Sequence, residues 1–231
     1  VTLREAVNMS VPTGKDLAKA VDHLSALLIE NELVEDQSAE AFSLVASQLR
    51  RNSTGTSWGY EVDRSTPVLF RPVDTRKLNS VQPQLHLNVC VGNSVGKWHP
   101  FVRLATTLEL LDEQKSPIMR WHVDLANTCQ QGPMFHLQAG GHSQSYKDRS
   151  QEIQIELPRW AHPPVDLFLA CELVVANFYP EKWLQIRALQ GWCDVIRDAE
   201  KFCYLPYQEE IKNYFSTSGR PETLLHRFWI G

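Results

Sequence analysis

The sequence predicts an α+β fold: an antiparallel meander sheet of about five strands, preceded by a helical hairpin and followed by helices that pack on one sheet face. Three observations carry this reading. Before residue 52 the apolar residues recur at helical spacing, between residues 84 and 157 they alternate with polar ones, and after Pro163-Pro164 they return to helical spacing. Residues 1–231 read as a single domain made of the hairpin (1–52), the sheet (60–157) and the C-terminal helices (163–216), a length that one hydrophobic core still reaches.

Each element has its own signal. Residues 14–31 bring Leu17, Ala18, Val21, Leu24, Leu27 and Leu28 onto one face of a helix. A second helix over residues 38–51 turns Phe42, Leu44, Val45 and Leu49 inward and ends on Arg50 and Arg51, where cations suit the helix dipole. The polar, glycine-containing stretch 52–59 is the best hinge or linker. Residues 57–73 suggest one or two short strands, which Pro67 and Pro72 restrict to an edge or a strand end.

The sheet proper is predicted over residues 84–91, 101–111, 118–127, 134–140 and 152–157, each alternating at period two. Directly opposed residues of an antiparallel pair share a face, so the alternation also fixes a register. Leu108 falls beside Trp121 and Thr106 beside Val123, with Glu109 beside Arg120 and Thr107 beside His122 on the opposite face. Asp124 then pairs with His136, His122 with Gln138, Leu87 with Thr106 and His86 with Thr107. One face becomes apolar and the other polar. Beyond the sheet, helices are expected over residues 165–179, 181–204 and 206–215, with Pro180 ending or kinking the first. The closing LLHRFWIG is apolar enough to dock or to meet a partner.

Composition narrows the function classes. Hydrophobic residues make up 43% and charged residues 22% of the chain, ordinary globular usage. The net charge of −4 and the lack of a Lys/Arg block argue against a duplex-binding protein. The longest apolar run, residues 165–179, is shorter than the roughly 20 residues a bilayer requires. The opening VTLREAVNMS has none of the marks of a secretory signal, and the five cysteines lack a CxxC pair, so a cytoplasmic protein with reduced thiols is expected.

Six of the eight histidines fall between His86 and His162, and the register gathers His122, Asp124 and His136 on the polar face. Neighbouring strands lie about 4.8 Å apart, close enough for the three side chains to converge. Two neutral imidazoles and a carboxylate suit Zn, Mn or Fe(II), with an open position for water activation; without an ion, Asp124 can orient His136 as a general base. His86, two strands from His122, joins them only if the sheet curves. The pair Gly140-Gly141 leaves its strand in a form that lets backbone amides approach an anion. Trp98, in GKWHPF, and Phe228 and Trp229, in the tail, are the residues expected to bind a partner.

The segment RWAHPP, residues 159–164, stands shortly before Cys171. Together with an N-terminal helix, a meander and C-terminal helices, it resembles the ubiquitin-conjugating enzymes, in which a His-Pro-Asn tripeptide precedes the catalytic cysteine. The resemblance implies carrier transfer at Cys171; the sequence departs from it at Pro164, where that family has Asn. The functional expectation is an interaction or accessory subunit whose partner is another protein, because no catalytic motif is complete. The alternative is a metal-dependent hydrolase or nuclease using His122, Asp124 and His136.

Overall fold

The structure is a computed structural model that describes residues 11–74, 80–92, 98–126, 131–140, 157–217, 219 and 221–230. Helix α1 (Gly14–Glu30) begins where the Thr13 side chain accepts the Asp16 amide, and it buries the apolar face expected of it. Helix α2 (Ser38–Arg51) buries Phe42, Val45 and Leu49. Leu44 is 40% exposed instead. It lies two residues from Phe42, about 200° around the helix, and so faces away from the core.

Strands β1 (Trp58–Val62), β2 (Val68–Leu69) and β3 (Val73–Asp74) all pair antiparallel with β4 (Ser80–Val91). The sheet continues through β5 (Phe101–Leu111) and β6 (Pro117–Leu125). The short strand β7 (Gly132–Pro133) stands apart, and β8 (Phe135–Ala139) and β9 (Trp160–Ala161) complete the order β1-β4-β5-β6-β8-β9. The expected register is the observed one: Leu108 faces Trp121, Thr107 faces His122, Asp124 faces His136, His122 faces Gln138 and His86 faces Thr107. Residues 152–156 of the fifth expected strand lie outside the described residues, and β9 is the strand seen beside β8.

Helices α3 (Leu167–Phe178), α4 (Pro180–Ile186), α5 (Gln190–Ser216) and α6 (Leu224–Arg227) follow. Helices were expected over residues 181–204 and 206–215; the break falls instead at residues 187–189, between α4 and α5, and α5 runs unbroken past Pro206. Proline in a helix interior costs about 3 kcal/mol. The cost is offset because one face of α5, from Trp192 through Ile196, Ala199, Phe202 and Tyr207, is buried across that position. Strand β10 (Trp229–Ile230) pairs with β7.

A continuous apolar cluster joins α1, α2, the apolar sheet face, α3 and α5. Helix α3 packs on β4 and β5, while α2 rests on β1 and β2. The outer edge of β1 is occupied by Gln48, whose amide accepts the Glu61 N–H at 2.7 Å and donates to the Glu61 carbonyl at 3.2 Å. The opposite, polar face of β4, β5, β6 and β8 carries His86, Thr107, Glu109, His122 and His136, all of them buried. Among the described residues, no helix is long and apolar enough to cross a membrane.

Candidate metal centre

The polar face is built by alternation. On β6, His122 and Asp124 are two residues apart and share a face; on β8, His136 pairs directly with Asp124. One ligand atom from each of the three lies within 4.8 Å of the others. Nε2 of His122 is 3.4 Å from Oδ2 of Asp124, with the two side chains 9% and 30% exposed. The two imidazoles stand nearly perpendicular, 79° between planes and 6.3 Å between centroids. Strand pairing thus brings together the three residues expected from the sequence.

The tautomer of His136 is set by its surroundings. Its Nδ1 lies 3.1 Å from the Pro133 carbonyl, which can only accept, so Nδ1 carries the proton and the Nε2 lone pair is left to bind a ligand. A backbone carbonyl behind the ring is how metal-binding histidines are usually oriented. Burial lowers the pKa of His136, against the pull of Asp124. Burial, then the Arg120 charge, lower that of His122, while the Gly140 carbonyl and Gln138 side chain beside the ring oppose them. Burial raises Asp124 to about 6, against His136, Arg120 and Arg159. Near neutral pH the cluster is therefore two neutral imidazoles and a carboxylate, the forms in which these groups bind a divalent ion. The residues fit one.

A second polar cluster adjoins the first. Glu109, 5% exposed, accepts from Gln84 at 2.9 Å and Arg64 at 3.1 Å, and its Oε2 lies 3.2 Å from Nε2 of His86. Burial pushes its pKa up, but the hydrogen bond and charge of His86, then Gln84 and Arg64, outweigh it and hold the carboxyl at about 2. His86 therefore turns toward Glu109 and stands outside the triad. Thr107, buried between the histidines in the strand register, separates the clusters.

Gly140 adopts φ 74°, and its N–H donates to the Arg120 carbonyl at 2.8 Å, so that amide is spent inside the sheet; Gly141 lies outside the described residues. Trp98 packs edge-on against Phe135 and Phe228, each 5.6 Å away, and Phe228 is 2% exposed. Both are engaged with the chain's own side chains. Trp229 is 46% exposed. Cys171 is wholly buried inside α3, where burial and then the Asp166 carboxylate push its thiol pKa up, so the transfer chemistry implied by the ubiquitin-conjugating resemblance has no reactive thiolate there. Cys90, Cys193 and Cys203 are free thiols as well, and Cys129 lies outside the described residues.

Sequence reasoning missed Arg159 as a site residue, and it set Arg120 in register with Glu109 without giving it a role. Both guanidiniums act electrostatically on the triad. The signal for Arg120 was present, two residues before His122 on the same face. None existed for Arg159, which precedes a strand of only two residues, too short for alternation to be read. No known family, curated protein or solved structure matches this chain.

Proposed function

We propose that this chain is a metal-dependent hydrolase whose divalent ion is held by His122, Asp124 and His136. The observation that supports it is the convergence of two imidazoles and a carboxylate within 4.8 Å on adjacent strands. Two nitrogen ligands and one oxygen suit Zn, Mn or Fe(II), and three protein ligands leave positions open for water and substrate. A bound ion of this kind supplies Lewis acidity and lowers the pKa of water toward about 7. The chain's own part is to present Nε2 of His136, fixed by the Pro133 carbonyl, and to keep an anionic carboxylate beside the imidazoles.

Elemental analysis of protein purified without a histidine tag tests this reading. Close to one equivalent of metal is expected, lost in the His122→Ala/His136→Ala double variant. Metal-free wild-type protein that also takes up no added Zn or Mn sinks it.

A second reading is an interaction or accessory subunit bound to another protein. It is favoured by Trp229 and Trp160, which are 46% and 68% exposed. Aromatic residues of this kind are common anchors of protein interfaces.

A further inference from the structure

We propose that the substrate group bound at this centre is a phosphate ester, its anionic oxygens shared between the metal and the guanidiniums of Arg120 and Arg159. The proposal rests on the metal reading above and names its substrate class. Two independent placements support it.

Arg120 lies two residues before His122 on the same face of β6, with its side chain 16% exposed. Its Nε is buried without a hydrogen-bond partner among the described residues, 3.8 Å from a Glu109 oxygen that Arg64 also approaches. Glu109 is thus shared among Arg64, His86 and Arg120, and Arg120 makes the longest of the three approaches.

Arg159 comes from the opposite side. It immediately precedes β9, whose residues Trp160 and Ala161 pair with Leu137 and His136, and its charge acts on all three members of the triad. Its side chain crosses Gly132, with Cδ 3.3 Å from where a Cβ on that residue would stand, and one N–H donates to the Gln131 carbonyl at 2.8 Å. Gly132 has φ 150°, a conformation that side-chain-bearing residues rarely adopt, so the crossing is built on a position suited to glycine.

Charge then identifies the ligand. A divalent ion with one carboxylate ligand keeps net positive charge, and two guanidiniums beside it repel it. The arrangement becomes favourable once an anion bridges them, because guanidinium–phosphate hydrogen bonds are charge-assisted and strengthen where water is scarce. A phosphoryl group holds its terminal oxygens, three in a monoester and two in a diester, in a tetrahedral arrangement that reaches a metal and guanidiniums on different sides, whereas the two oxygens of a carboxylate lie in one plane.

The test is calorimetric titration of the full chain with Mn²⁺, and of the Mn²⁺-loaded chain with phenyl phosphate, diphenyl phosphate and benzoate, for wild type, Arg159→Met and Arg120→Lys. In wild type a phosphate ester is expected to bind, and to tighten Mn²⁺ by the same factor as Mn²⁺ tightens it. Arg159→Met is expected to weaken the ester at least tenfold while Mn²⁺ alone binds as well as before or more tightly. A stronger monoester points to a terminal phosphate and a stronger diester to an internal phosphodiester; each supports the proposal. Benzoate binding as tightly as either ester, or esters binding Arg159→Met and wild type alike, overturns it and leaves the metal reading standing. Failure of wild type to bind Mn²⁺ or Zn²⁺ removes both, and is distinguishable because it precedes the anion titration.

Discussion

Glu109 shows how strongly the polar face is organised by single residues. Its carboxyl is held at about 2 against an ordinary 4.5, because His86, Gln84 and Arg64 favour the anion more than burial disfavours it. The folded pKa lies below the unfolded one, so the stabilisation is complete above about pH 4.5 and is lost as pH falls through 2. Urea unfolding of wild type across that range is expected to show stability declining toward acid. In Glu109→Gln the decline is expected to be shallower, and the variant is expected to be about 1–3 kcal/mol less stable at neutral pH, the scale of hydrogen bonds to a charged group. Parallel acid profiles for the two proteins would remove Glu109 from the account. The pairing of Glu109 with Arg120 was legible in the sequence because a period-two strand has only two faces. The turn of His86 toward Glu109 was not, since register gives the neighbours of a residue but not its rotamer.

At the scale of elements, alternation over long strands was the most readable signal and short elements the least. Strands β4, β5, β6 and β8 each repeat a face often enough to fix pairing, whereas β9 and β10, of two residues each, exist only through their partners. The continuity of α5 through Pro206 was also hidden, because local propensity opposes it and only burial against the rest of the chain sustains it. Helix α3 carries a device of its own in Asp166, the N-cap, which is 3% exposed and accepts the Leu169 N–H at 3.1 Å. Burial raises its carboxyl to about 6 against the helix-end amides, which favour the anion. Here the folded pKa exceeds the unfolded one, so folding binds a proton and stability falls as pH rises from about 4 to 6, opposite in sign to Glu109 and in a higher window. Asp166→Asn keeps a capping oxygen without the charge. It is expected to lose less stability between pH 4 and 6 than wild type, whereas Asp166→Ala is expected to cost about 1–2 kcal/mol as a lost cap. Thermal melts through that interval check both, and an unchanged slope in Asp166→Asn would assign the pH dependence elsewhere.

Across the whole molecule, the C-terminal tail and the His122–Asp124–His136 cluster are mechanically joined. Trp229 and Ile230 pair with Pro133 and Gly132, and the Met134 N–H donates to the Phe228 carbonyl at 2.6 Å. The same Pro133 supplies the carbonyl that orients His136, and the same Gly132 lies beneath Arg159. The tail therefore braces the strap on which His136 and Arg159 depend. Phe228 locks the tail down, 2% exposed and stacked on Tyr207 at 4.9 Å. Phe228→Ala removes a buried aromatic, an expected loss of about 3–5 kcal/mol. By loosening the support of His136 it is also expected to weaken metal binding by about tenfold, the lower end for orienting partners of ligands. Trp229→Ala, at an exposed position of the same strand, separates bracing from partner binding. It is expected to leave metal affinity within about twofold of wild type, and to break a complex if the tail serves a partner as well. Zn²⁺ competition titrations on both variants, made well below their melting temperatures, distinguish the cases. Metal affinity unchanged in a folded Phe228→Ala protein would mean that the tail stabilises the fold without reaching the site.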